Sequence, residues 1–246
     1  MLCLSHDAMP FWAVASLSAW RFCNEALVGT ADLSMFARWS SYVGILLGCL
    51  IAPALAQEPA GSPTTDAPVY KVGDTWTFLT PGSDGQPGAT TIQTVKSVTE
   101  TQTTIDASKN GGPPYEVDLN NQGDMLRSGV TTWDPEIGWL SFPMTVGKSW
   151  DHHDLKQTPS GIADITEIVK VEAYERVHVA AGTFDAYRIV VRGVYKQHVG
   201  GMAVPIQSTH WYAPSVKAII KFEAGWTGFH HGSVETTELT AFSLAP

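Results

Sequence analysis

From Val69 almost to its end, this chain alternates with a period of two. Short runs of Val, Ile, Thr, Trp and Tyr are bounded by clusters of Gly, Pro, Asn and Asp. A half-buried strand requires that pattern, because successive side chains leave opposite faces. The clearest case is Val177 to Val191, VHVAAGTFDAYRIVV. It reads as two strands joined by a tight turn at Ala181-Gly182, with Gly182 supplying the backbone freedom of a short loop. After Val69 no stretch holds a 3.6-residue apolar period over three turns, so helices are not expected.

The runs follow one another closely: Tyr70–Phe78, Thr90–Val98, Thr101–Ala107, Tyr115–Leu119, Met125–Trp133, Phe142–Trp150 and Ile162–Glu172. The hairpin then runs on to Val199, followed by Val204–Tyr212, Lys217–Glu223 and Ser233–Leu244. About ten consecutive strands with short connections predict an all-β antiparallel meander. So many strands must curl, close or split into two layers. A strongly curved sheet or incomplete barrel is the leading expectation, and a two-layer β-sandwich the alternative. Val72-Gly73-Asp74-Thr75-Trp76 and Val146-Gly147-Lys148-Ser149-Trp150 repeat a V-G-x-[ST]-W pattern. That repeat reads either as a duplicated half-meander or as recurrent use of a bulge with a large core ring.

Ser34 to Ala56 has the layout of a secretory signal peptide, with Arg38 at its start and an apolar Tyr42–Ile51 core. Ala54-Leu55-Ala56 forms a small-x-small cleavage site before Gln57. The apolar core falls short of the roughly 20 residues that span a bilayer, so no transmembrane span is expected in the mature form. The expected organisation is a signal peptide over 35–56, a Pro-, Ala- and Thr-rich tether over 57–68 and one β domain over 69–246. Residues 1–34 read as a disordered extension upstream of a true start at Met35, with a genuine long leader as the alternative. The address implied is periplasmic or secreted. Leu46-Leu47-Gly48-Cys49 also resembles a lipobox, giving lipid anchoring at Cys49 as the alternative address. All three cysteines, Cys3, Cys23 and Cys49, precede Gln57, so the β domain has no disulfide to stabilise it. A net charge of −9 disfavours binding to phosphate backbones, and no nucleic-acid partner is expected.

Three motifs carry a resemblance: Phe142-Pro143-x-x-Val146-Gly147-Lys148-Ser149-Trp150, then Val179-Ala180-Ala181-Gly182-Thr183-Phe184-Asp185-Ala186-Tyr187, then Trp211-Tyr212-Ala213-Pro214. Their order resembles uncharacterised secreted bacterial domain-of-unknown-function families, including those labelled TapB-like. Ala180 stands where that pattern commonly has proline, and Ser215 to Ala218 where it commonly has glycine. The resemblance implies a periplasmic β-protein and no particular reaction.

Chemistry is sparse. No G-x-S-x-G, H-E-x-x-H or G-x-x-x-x-G-K-[ST] occurs, and no cofactor is implied. The most metal-like residues are His152-His153, His210 and His230-His231. Adjacent strand residues point to opposite faces, so neither pair can close on one ion unaided. Asp164, Glu167, Glu172 and Glu175 are candidates for an acid–base pair, or for the outward face of a strand. Trp76, Trp150, Trp211, Tyr212 and Trp226 are candidates for lining a groove, or for ordinary core packing. The leading functional expectation is a non-enzymatic periplasmic binding module for an apolar small molecule or a cell-envelope partner. A secreted hydrolase using carboxylates or a His-bound metal, and a lipoprotein anchored through Cys49, are the alternatives.

Overall fold

In a computed structural model, the chain is described over residues 63–82, 87–201, 203–226 and 234–246. The signal segment, the extension before it, Cys49 and His230-His231 lie outside the described residues. Twelve antiparallel strands form one closed barrel in simple sequence order: β1 (Thr75–Thr80), β2 (Ala89–Val98), β3 (Gln102–Lys109), β4 (Tyr115–Asn120), β5 (Met125–Ser128) and β6 (Thr131–Asp134) make its first half. The second half is β7 (Ser149–Thr158), β8 (Gly161–Val179), β9 (Gly182–Gln197), β10 (Ala203–Ala213), β11 (Ala218–Trp226) and β12 (Val234–Ser243). Pairing of β1 with both β2 and β12 shuts the ring, so the expected all-β antiparallel meander curls all the way into a barrel and does not split into a sandwich. A single 3-10 turn, Pro214–Val216, is the one helical element among the described residues.

Directly paired residues share a face, and their register traces the inner wall. Phe78 lies opposite Leu239 and Thr91, and Ile105 opposite Val95 and Val117. In the second half Trp150 faces Val169, His152 faces Glu167, and Ile189 faces both Val171 and His210. The Phe142–Trp150 run is not one strand: only its last two residues, Ser149 and Trp150, are in β7. Residues 135–148 form a strap that packs on one of the two core clusters, with Met144 fully buried against Val169, Val171, Tyr187, Ile189 and Tyr212. Trp139 of the strap packs on the rings of His210 and Phe222, 4.3 and 5.8 Å away. Met125–Trp133 is two strands rather than one, turning at Gly129, where φ is +57°.

The Val177–Val191 hairpin is more deeply packed than its alternation implies. β8 is a continuous 19-residue strand, and a bulge between Val171 and Ala173 exchanges its faces. Val169 and Val171 pack with the strap, whereas Val177 and Val179 beyond the bulge join the cluster of Trp76, Val95 and Leu239. β9 is therefore buried on both sides, with Ala186 in one cluster and Tyr187, Ile189 and Val191 in the other. The turn sits one residue earlier than expected, at Ala180-Ala181, and Gly182 (φ +139°) pairs with Val179. The Ala181 amide donates to the Leu239 carbonyl at 3.1 Å, fastening the tip to β12. Residues 63–68, the end of the expected tether, lie against the barrel. Thr65 bridges Met144, and the Tyr187 hydroxyl donates to the Pro63 carbonyl.

Candidate functional site

Strand β7 presents alternate residues to the interior: Trp150, His152, Asp154 and Lys156 lie on the same face as Val169, Glu167, Ile165 and Ala163 of β8. This brings a carboxylate–imidazole cluster inside the barrel wall. Asp154 is 1% exposed, Glu167 5% and His210 0%. His152 Nε2 lies 2.8 Å from the Glu136 carbonyl, so that nitrogen carries hydrogen, and 3.6 Å from Asp154 Oδ2. His153, the next residue, points outward, 3.6 Å from exposed Asp164, as strand geometry demands.

Two glycines make room for this cluster. A Cβ on Gly138 would fall 2.0–2.4 Å from the His152 ring. A Cβ on Gly193, directly across from Glu167 on β9, would meet Glu167 Cγ at 2.8 Å and the Thr166 carbonyl at 2.3 Å. The cross-strand pair His152–Glu167 is thus accommodated on both flanks by backbone without side chains. Asp124, between β4 and β5, ties the strap to the same region. It accepts from the Leu140 amide at 3.2 Å, while the Ile137 amide donates to the Met125 carbonyl.

Burial sets the protonation of these groups. Desolvation lifts Glu167 to about 8, helped by Asp154 and Asp124 nearby. Desolvation also lifts Asp154 to about 7, with Lys156 opposing and Glu136 assisting. Asp124 rises to about 7 for the same first reason, although backbone amides from Leu140 and Met125 favour its charged form. His210 is pushed down to about 3 by burial and is a neutral imidazole, with Nε2 2.8 Å from the Ser208 hydroxyl. Neither oxygen of Asp154 has a hydrogen-bond partner, nor do Glu167 Oε2 and His210 Nδ1. Among the described residues no trio of His, Cys, Asp or Glu is placed to hold a metal ion, so His152, His153 and His210 do not assemble as ligands.

The remaining carboxylates divide by face. Asp164 lies outside, 2.7 Å from His198, and only Glu167 of the four strand acids points inward. Glu172 and Glu175 face an outer groove of about 290 Å³ or its rim. That groove is lined by Glu172, Arg188, Arg192, Gln207, Trp211 and Glu223, among others. Trp211 donates its indole N–H to Glu175 at 2.9 Å and has Lys221 Nζ 5.2 Å from its ring centre. The arginines sit 3.6–3.8 Å from Glu172 and Glu175, close enough for attraction but beyond hydrogen-bond contact.

The five aromatic candidates do not meet at one place: Trp211 packs against the cluster that holds Trp76, and Trp150 against the one that holds Tyr212. Trp76 is buried in the core and donates to the Val216 carbonyl at 2.7 Å, and Tyr212 is buried in the strap's cluster. Half-buried Trp150 donates to the Gly138 carbonyl at 3.0 Å. Half-buried Trp211 also lines the outer groove, and Trp226 ends β11 opposite Ile206. Sequence reasoning noted Asp154 only as a flank of the His152-His153 pair, and it missed Asp124 and the two glycines. The alternation of Trp150, His152, Asp154 and Lys156 was the available signal for Asp154. No local pattern marks Gly193 as the partner of Glu167.

No protein-family model matches the chain, and no curated protein matches it. Solved structures do. A Bacteroides fragilis protein described as exported, with a YmcC-like fold, aligns at 14% identity and a TM-score of 0.51, covering 74% of this chain and all of the other. A Parabacteroides distasonis protein described as a lipoprotein aligns over the same shares at 10% identity, also with a TM-score of 0.51. At these identities the likeness is one of fold: this barrel is similar to the YmcC-like fold.

Proposed function

We propose that the chain is an exported cell-envelope β-barrel that works by binding at its outer surface rather than by catalysis. The carrying observation is a contrast between the two sides of the wall. The inner side holds the two core clusters, with Trp76, Tyr212 and Ile220 and the strap packed on one of them, and its carboxyl groups are sealed from solvent. The outer groove at Trp211 is open and lined by guanidinium, carboxylate and amide groups. Such a lining suits a polar partner from the envelope better than an apolar small molecule. The Ser34–Ala56 pattern supports export, as does the fold shared with proteins described as exported or as lipoproteins.

A photo-crosslinker at position 209 in the groove, with a control at Asp106 on the β3 wall, tests this reading in intact cells. A product formed from position 209 alone is expected; equal or absent products at both positions refute surface binding through the groove. Intact mass of the exported protein separates the addresses. A start at Gln57 without lipid supports cleavage after Ala56, whereas an acylated start at Cys49 supports the lipoprotein. Hydrolysis of ester, glycan or phosphate substrates, lost in Glu167→Gln, would favour the hydrolase alternative.

A further inference from the structure

Asp154 and Glu167 are unlike the acids on the barrel's outer wall. Glu116 and Asp118 outside pair with Arg127, and Glu116 also with Lys96. Inside, Asp154 has two buried oxygens without a hydrogen-bond partner and Glu167 has one. An unpaired buried carboxylate is strongly disfavoured, whereas a carboxylic acid in the same place is not. The position is also constructed: Gly193 leaves space for Glu167, and Gly138 for the His152 ring that lies between Glu167 across the ladder and Asp154 along the strand.

The groups facing this pair come from several elements. His152 and Lys156 come from β7, and Tyr195 and Gly193 from β9. His210 and Ser208 face inward from β10, Asp124 from the β4–β5 connection and Glu136 from the strap. Lys156 attracts the charged form of Asp154, but burial pushes its own amine down, and its Nζ lies 5.7 Å from the centre of the Trp133 ring. His210 is held neutral, so it supplies no compensating charge.

We propose that Asp154 and Glu167 form a buried proton-holding pair that makes the β7–β8 wall and the strap it supports pH-sensitive, packed while the pair is protonated and loosened when alkaline conditions remove the protons. The upward displacement of both groups, to about 7 and about 8, agrees with this geometry. Both are raised above the unfolded carboxyl value of roughly 4. Their contribution to stability is therefore complete below that value and is lost as pH rises through about 7–8. The device lies apart from the outer groove and stands whether or not the groove binds a partner.

Denaturant midpoints of the full exported chain, measured from roughly pH 5 to 9, test the proposal. The wild-type midpoint falls as pH rises. Asp154→Asn and Glu167→Gln each remove up to about one proton of slope, and the double variant is nearly flat apart from what Asp124→Asn removes separately. An unchanged slope in the double variant overturns the proposal. Infrared spectroscopy of the wild type requires no variant to fold. A protonated-carboxyl carbonyl band present near pH 6 and lost near pH 9 is expected, and its absence near pH 6 is equally fatal. Amide exchange at Ile137 and Leu140 reads the loosening itself. Protection lost at alkaline pH in the wild type and kept in the double variant supports the device, and equal loss in both refutes it.

Discussion

The two halves of the barrel begin with the same corner and use it differently. At Val72–Trp76 and Val146–Trp150 the glycine has φ +93° and +90°. The Gly73 amide donates to Val95 and the Gly147 amide to Val171, at 2.9 and 2.8 Å. Those valines return their amides to the carbonyls of Asp74 and Lys148. Each valine is followed by a bulge, and each tryptophan donates its indole N–H to a backbone carbonyl. The backbone device is the same in both; the residue in its middle differs. Asp74 is fully buried, accepts from Lys217 Nζ and the Ala245 amide, and so clamps the turn after β10 and the chain end. Burial alone would raise its carboxyl, but the Lys217 ammonium and two backbone amides hold it below the usual range. Lys148 instead donates to the Ser141 and Pro143 carbonyls and clamps the strap. One corner geometry can therefore fasten unlike elements by exchanging one charged side chain.

Substitutions can break that comparison. Trp76→Ala is expected to cost about 4 kcal/mol by removing a fully buried indole, and Trp150→Ala roughly half as much, since its ring is half-buried. Equal losses in urea melts would show that the corners carry the same packing. Asp74→Ala is expected to cost about 3 kcal/mol, because it leaves Lys217 and two amides unpaired. Lys148→Ala, which frees only two carbonyls near the surface, is expected to cost about 1 kcal/mol. Asp74 also predicts an acid limb: stability present above the unfolded carboxyl value is lost as pH falls through the lowered folded one. Asp74→Asn should flatten that limb in midpoints taken at falling pH. Gly73→Ala and Gly147→Ala are expected to cost alike, about 1–2 kcal/mol each, arising from positive φ rather than crowding, since a Cβ has open space at Gly147 and a neighbour only at 3.9 Å at Gly73. A clear inequality between the two would mean that the corners are not the same device.

Local alternation carried the strand content, because the pleat imposes period two wherever one face is buried. It separated His152 from His153. It could not place the Phe142–Trp150 run, whose Phe142, Met144 and Val146 pack as a strand's inner face would but belong to a strap packed on a core cluster. Nor could it reveal β9 as buried on both faces, since that depends on the bulge at Glu172 and on elements far along the chain.

By itself the sequence determined an all-β domain without cysteine, since those properties are written in periodicity and cysteine position. Closure of the ring, the turn at Ala180-Ala181, and the meeting of Asp154, Glu167, His152 and two accommodating glycines were decided by tertiary structure alone. Closure pairs β1 with β12, and the pocket for Glu167 comes from Gly193 on a neighbouring strand. Contacts of that kind join residues whose separation along the chain carries no repeating signal.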